Sequence, residues 1–186
     1  MEQLVETRFQ AGTFPDLSAL PPGCLRSQLR AAWPDRVTPD SLLFELVRLA
    51  EKALWDYNAA RAHHVRWVDR GEIVNAMGCA DRLEDCINAT DRGYRSLKAI
   101  IKQRPEPPVG LPQAMTDELR LNKTSRRALR RVQTELHGES QWPVGARLCF
   151  DHTHVGVGSD TLAYSDLERL VRTLHTLVAV IVAAQM

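Results

Sequence analysis

The chain has 186 residues, of which 44% are apolar, and this fits one domain with a sizeable hydrophobic core. A formal net charge of +1 excludes a global electrostatic argument for nucleic-acid or membrane binding, so such an argument must rest on local clusters. The N-terminal residues lack the basic start and apolar run of a secretory signal, and the longest apolar run, 177–184, is too short to cross a bilayer. We therefore expect a cytoplasmic protein without a membrane partner.

The four cysteines form no CxxC pair and no dense framework, which is typical of reduced thiols rather than disulfides or zinc ligands. Four prolines interrupt residues 1–37, and this predicts an irregular arm that lies over the rest of the chain, with at most a short helix around 25–32. Thr38-Pro39-Asp40 is a helix-start signal, and apolar residues follow it at helical spacing. These features predict a first long helix that ends near Gly71.

A second long helix is predicted within 72–103, and Gly78 is a point at which it could kink or split. Its expected inner face is apolar and comprises Ile73, Met77, Ala80, Leu83, Ile87, Tyr94, Leu97 and Ile101. The proline-rich segment 104–112 cannot be helical, so we expect a linker there. A third helix, rich in arginine, should then run from about Gln113 to His137.

Alternation around Leu148 and Phe150, followed by turn residues at 156–160, predicts a small hairpin or extended loop. The sequence from Ser165 to Glu168 has the form of a capping box at the start of a last helix. The inner face of that helix is expected to comprise Leu167, Leu170, Val171, Leu174, Leu177, Val178 and Ile181. The fold class is therefore mainly α, an antiparallel bundle of four to five helices over 38–186, with the arm at 1–37 and the hairpin before the last helix.

The segment 126–138 carries four arginines and a histidine before a glycine. A helical wheel gives this helix a buried stripe comprising Leu121, Ser125, Leu129, Val132 and Leu136. The same wheel gives it an outer basic side comprising Arg120, Lys123, Arg127 and Arg131. It also gives it a flank between the two, comprising Arg126, Arg130 and His137.

Arg130 and His137 lie within about 20° of each other on this wheel and about 10 Å apart along the helix axis. A guanidinium group binds phosphate oxygens through paired N–H donors, and an imidazole exchanges protons near neutral pH. Either a phosphodiester spans the two side chains, or a second subunit supplies a matching pair across a two-fold axis. A basic helix face that is simply solvated is the alternative.

The helix order and the spacing of Arg130 and Arg131 from His137 resemble the HEPN superfamily over about residues 40–186. Its members are four- or five-helix bundles with an arginine, four to six residues and then a histidine near the end of a late helix. Catalytic members are metal-independent endoribonucleases that act as homodimers, and many are toxins with antitoxin partners or take part in phage defence. This chain departs from the pattern in having Arg131 or Val132 after the motif arginine, where a small polar or ionisable residue such as Asn, Asp or His is common.

The resemblance implies that Arg130 or Arg131 holds the scissile phosphate of RNA and that His137 assists proton transfer, with no cofactor. The basic residues expected to bind the substrate beside them are Lys123, Arg126 and Arg127. The alternative is a bundle without catalytic activity that binds RNA, a protein partner or a second copy of itself through the same basic face.

The other histidines fall into three sets, which differ in their suitability for metal binding or proton transfer. Alternation places His152 and His154 on one face of the hairpin, a spacing compatible with zinc, although an exposed hairpin face is the ordinary alternative. The adjacent His63 and His64 should point about 100° apart on a helix and share neither a metal nor a proton. His175 lies beside the apolar stripe of the last helix, so we expect a structural role for it.

Overall fold

A computed structural model describes residues 14–21, 23–32, 41–103, 120, 122–137, 148–151 and 153–184. Within these ranges the helices are α1 (Cys24–Ala32), α2 (Leu42–Arg70), α3 (Ile73–Gln103), α4 (Lys123–Leu136) and α5 (Tyr164–Ala183). Three short strands, β1 (Leu148–Phe150), β2 (His154–Val157) and β3 (Asp160–Ala163), form an antiparallel sheet in the order β1, β2, β3. The mainly α prediction, with a small β element before the last helix, is confirmed.

Helices α2 and α3 form a long hairpin at the centre of the bundle. The hydroxyl of Ser41 caps α2 by accepting a hydrogen bond from the Phe44 N–H at 3.1 Å. Gly71, with φ of +69°, ends α2 in the left-handed conformation that glycine adopts without strain, which confirms the predicted end. The helix-start signal at 38–40 lies outside the described residues.

Helix α3 runs through Gly78 without a break, so of the two possibilities at this glycine, a kink or a split, the split does not occur. A Cβ atom at this position would lie 2.8 Å from Cε1 of His63 on α2, so the glycine lets the two helices approach closely. Such close approach, rather than a helix end, explains why a glycine stands in the middle of α3.

The predicted inner face of α3 is partly wrong, because Ile73 is 73% exposed and Met77 is 63% exposed. At about 100° per residue these two side chains lie roughly 80° and 120° around the helix from the buried Leu83. The face that packs on α2 near the turn carries the smaller side chains of Asn75, Ala76 and Cys79, all of which are buried. The other expected inner residues include Leu83, Ile87, Tyr94 and Leu97, which are buried, and Ile101, which is 36% exposed.

The start of α5 also differs from the prediction. Ala163, in extended conformation, precedes the first helical residue and gives no side-chain cap, so the expected capping box at Ser165 is wrong. Strand β3 leads directly into α5, and the Tyr164 N–H donates to the Thr153 carbonyl oxygen at 2.9 Å, which fixes the entry of the chain. All seven apolar residues expected on the inner face of α5 are buried.

The described part of the N-terminal segment packs onto the bundle, as expected. The ring of Phe14 is buried and stacks on that of Tyr164 with centroids 4.1 Å apart. The Tyr57 hydroxyl donates to the Pro15 carbonyl oxygen at 2.9 Å, and Nε of Arg61 donates to the Phe14 carbonyl oxygen at 3.0 Å. The predicted short helix is α1, whose buried leucines extend the core. Across the described ranges, no helix has the length and apolar character that a membrane span requires.

Two substitutions in α3 test the corrected inner face. Ile87→Ala should lower the free energy of unfolding by about 2–5 kcal/mol, because it leaves a cavity in the core. Ile73→Ala should change it by less than about 0.5 kcal/mol, because the side chain is exposed. Denaturant unfolding followed by circular dichroism measures both values, and equal decreases would contradict the buried face assigned to α3.

Candidate functional site

Helix α4 owes its orientation to a narrow apolar stripe. Leu129, Val132 and Leu136 are at most 1% exposed, and α4 packs on α3, α5, β2 and β3. The Ser125 hydroxyl is buried and donates to Oδ1 of Asp166 at 3.0 Å. The predicted inward stripe is thus confirmed, except for Leu121, which lies outside the described residues.

The opposite side of α4 is a basic face that we define as Lys123, Arg127, Arg130 and Arg131, all of them exposed. The three arginines border an open depression of about 520 Å³, together with Thr134, Glu135 and Asp160. Nε of Arg131 lies 3.3 Å from Oδ1 of Asp160, so one carboxylate at the edge of the sheet partly neutralises this end of the face. Several guanidinium groups therefore surround one solvent-filled space.

Arg126, which the sequence placed beside Arg130, lies outside that depression. It is half-buried, and its guanidinium carbon lies 5.5 Å from the centroid of the Tyr94 ring, within reach of a cation–π interaction. The Tyr94 hydroxyl in turn donates to the Leu170 carbonyl oxygen at 3.0 Å, which fixes the ring. Arg126 thus packs α4 against α3, whereas Arg127 and Arg130 face solvent.

His137 lies on the other flank of α4, directly after its last helical residue. Nε2 of this exposed imidazole is 2.8 Å from Oδ1 of Asn88 on α3. Because an amide oxygen only accepts hydrogen bonds, Nε2 carries the proton in this arrangement. Burial raises the pKa of the neighbouring Glu84 carboxyl, and the charge of His137 acts in the opposite direction.

His137 and Asn88 border a second depression, of about 260 Å³, between α2, α3 and α4. Its other polar walls include Arg48 and Lys52 of α2 and Arg92 of α3. Neither Arg130 nor Arg131 borders this space, and His137 does not border the first depression. The sequence therefore predicted the surface position of Arg130 and His137 correctly, but within one chain the two side chains open onto different depressions.

The contact between His137 and Asn88 joins residues 49 positions apart, so no local pattern could indicate it. The same holds for the grouping of Arg48, Lys52 and Arg92, which depends on how α2 packs on α3. Only the occurrence of Arg92 four residues after Asn88, on the same face of a helix, was visible in the sequence.

The remaining candidate histidines do not assemble a metal site in the described part of the chain. No group of three or more potential ligands is found there, and His152 lies outside it. His63 reaches toward Oδ1 of Asn75, whereas His64 is buried with Nε2 3.3 Å from the Asp151 carbonyl oxygen, so the two rings diverge as expected. The Cys79 thiol is free, and burial raises its pKa to about 12, so it is not a ready nucleophile.

Comparisons of the chain with protein-family models, with curated proteins and with solved structures found no match.

His175, expected to be structural, generates a prediction about pH. The side chain is buried in α5, and Nε2 has no hydrogen-bond partner among the described residues. Burial lowers the pKa of His175, although the nearby Glu51 carboxylate partly offsets this effect. In the unfolded chain the pKa of this histidine returns to about 6.5, so between pH 7 and pH 5 the unfolded state binds the proton more readily than the folded state does. The free energy of unfolding should therefore fall as the pH is lowered from 7 to 5.

In His175→Leu this fall should be shallower, because the buried proton acceptor is gone. Chemical denaturation at several pH values measures it, with His154→Leu, a change at an exposed histidine, as the matched control. Parallel pH profiles for wild type and His175→Leu would contradict the assignment.

Proposed function

We propose that this chain binds RNA through the basic face of α4. The observation that carries the proposal is the depression of about 520 Å³ bordered by the exposed Arg127, Arg130 and Arg131. Arg131 is paired with Asp160, while Arg127 and Arg130 form no ion pair with any residue that the structure describes. Guanidinium groups bind phosphate oxygens through two parallel N–H donors, so this space suits a phosphodiester backbone.

The stability of α4 itself gives no reason for this cluster. Like charges spaced three or four residues apart on a helix destabilise it, and Arg127 has this spacing to both Arg130 and Arg131. Lys123 lies in the first turn, where the helix dipole disfavours a positive charge. Phosphate groups would relieve both effects, which favours a polyanionic ligand over a merely solvated surface.

Two double variants of equal charge test this proposal. Arg127→Gln with Arg130→Gln should weaken RNA binding and lower the slope of log K against log salt concentration by about one for each phosphate that is no longer bound. Arg66→Gln with Arg70→Gln removes two exposed arginines from α2 and should leave the slope unchanged. Fluorescence anisotropy with a labelled RNA over a range of salt concentrations gives both values. Equal weakening in the two variants would show that binding depends only on net charge.

RNA cleavage of the HEPN type is a second candidate. The exposed His137 at the end of α4, with Nε2 held by Asn88, favours it as a proton-transferring group. Because Arg130 and His137 open onto different depressions within one chain, such a site would need a homodimer that brings the arginines of a second copy to His137. Only this second candidate, RNA cleavage, would imply a role as a toxin or in phage defence, with an antitoxin as partner.

Cleavage predicts a rate that persists in EDTA and falls about 10²- to 10⁴-fold in His137→Ala, since removal of a general acid or base typically has this effect. The matched control is His154→Ala, at an exposed histidine on β2. Gel analysis of labelled RNA, with binding measured in parallel, separates the two functions. Undiminished cleavage in His137→Ala would contradict this candidate, and binding without cleavage by wild type would leave RNA binding as the function.

A further inference from the structure

A groove crosses α2 on the side of the molecule that His137 faces. The depression beside His137 shares Arg48 and Lys52 with a second one, of about 530 Å³, that extends to Trp55 and Arg82. We call the two together the α2 groove. It runs from the end of α4, over two turns of α2, to the start of α1.

Trp55 is the unusual side chain of the α2 groove. It is 53% exposed, although α2 is otherwise well packed on α3, and it makes no ring contact with the described aromatic residues. An exposed indole presents a flat apolar surface that has no role in the core. Trp55 borders the groove from the middle of α2.

The charges around Trp55 are arranged in two layers. The carboxylates of Glu51 and Asp56 lie beneath the surface, with side chains 5% and 2% exposed. Above them, Arg26 pairs with Glu51 at 2.5 Å and Arg82 pairs with Asp56 at 3.0 Å, while the two arginine side chains stay 56% and 42% exposed. Lys52 also pairs with Asp56, at 2.6 Å, and with Asp85, at 3.3 Å, so its charge is neutralised within the groove.

Each buried carboxylate therefore holds a guanidinium group in place at the surface. A guanidinium group has five N–H donors, and these ion pairs occupy only part of them. The side chains of Arg26 and Arg82 both border the groove, and their exposed parts carry the remaining donors. The α2 groove thus combines an exposed aromatic ring with guanidinium groups that buried carboxylates hold at the surface.

We propose that the α2 groove binds single-stranded RNA, with one unpaired base stacked on Trp55 and neighbouring phosphates bound by Arg26 and Arg82. Rigid aromatic rings beside cations are the general means by which proteins bind single strands, because every base has a face that can stack. A duplex hides those faces, so this groove discriminates against double-stranded RNA. This proposal rests on the proposed function, because both take RNA as the ligand. The residues that would contact the RNA are different.

The test compares a 12-nucleotide single strand with the matching duplex, both as labelled 2′-O-methyl RNA, which lacks the hydroxyl needed for cleavage. Trp55→Ala should weaken single-strand binding about 5- to 150-fold, the range for removal of one stacked base, and leave duplex binding unchanged. Trp55→Phe keeps an aromatic ring and should retain most of the affinity. Val74→Ala, at an exposed apolar residue outside the groove, should have no effect.

Unchanged single-strand binding in Trp55→Ala would overturn the groove proposal, as would an equal weakening of duplex binding or a failure of Trp55→Phe to recover affinity. The proposed function fails separately, when Arg127→Gln with Arg130→Gln binds both RNAs as wild type does. A wild-type protein that binds neither RNA overturns both.

Discussion

Burial of the stripe formed by Leu129, Val132 and Leu136 is the constraint on which the functional surface depends. A helix of 14 residues is marginal in water, and the repulsion among its arginines makes α4 less stable still. Complete burial of three such side chains contributes about 1.5–3 kcal/mol each, which outweighs repulsion between exposed charges. Because the stripe is narrow, its burial also decides which side chains of α4 face water.

With the stripe buried, α4 forms a ridge between two surfaces of different character. On one side Arg127 and Arg130 border an open depression whose described lining residues include no aromatic side chain, and which suits a phosphate backbone. On the other side lies the α2 groove, where Trp55 adds a stacking surface to fixed cations. His137 stands at the end of the ridge, where the groove begins.

Sequence periodicity predicted the helix faces that carry mostly large apolar side chains, such as the α5 stripe and the buried face of α4. It failed at Ile73, because hydrophobicity alone does not show that small side chains such as Ala76 form the close contact with α2. The capping-box motif at Ser165 was misleading, because α5 starts at Tyr164, where a backbone hydrogen bond to the hairpin takes the place of a side-chain cap. The basic face of α4 could be predicted from the sequence. The contact of His137 with Asn88 and the groove at Trp55 could not, because both depend on how separate helices pack together.

The most direct measurement follows the arginine side chains while RNA is added. Nε–Hε resonances of each arginine can be assigned by substitution, and their shifts report contact with phosphate during a titration with 2′-O-methyl RNA. If α4 binds the backbone, Arg127, Arg130 and Arg131 should shift at low RNA concentration, whereas Arg66 and Arg70 should not. Shifts confined to Arg66 and Arg70, with the basic face of α4 unaffected, would contradict the central claim.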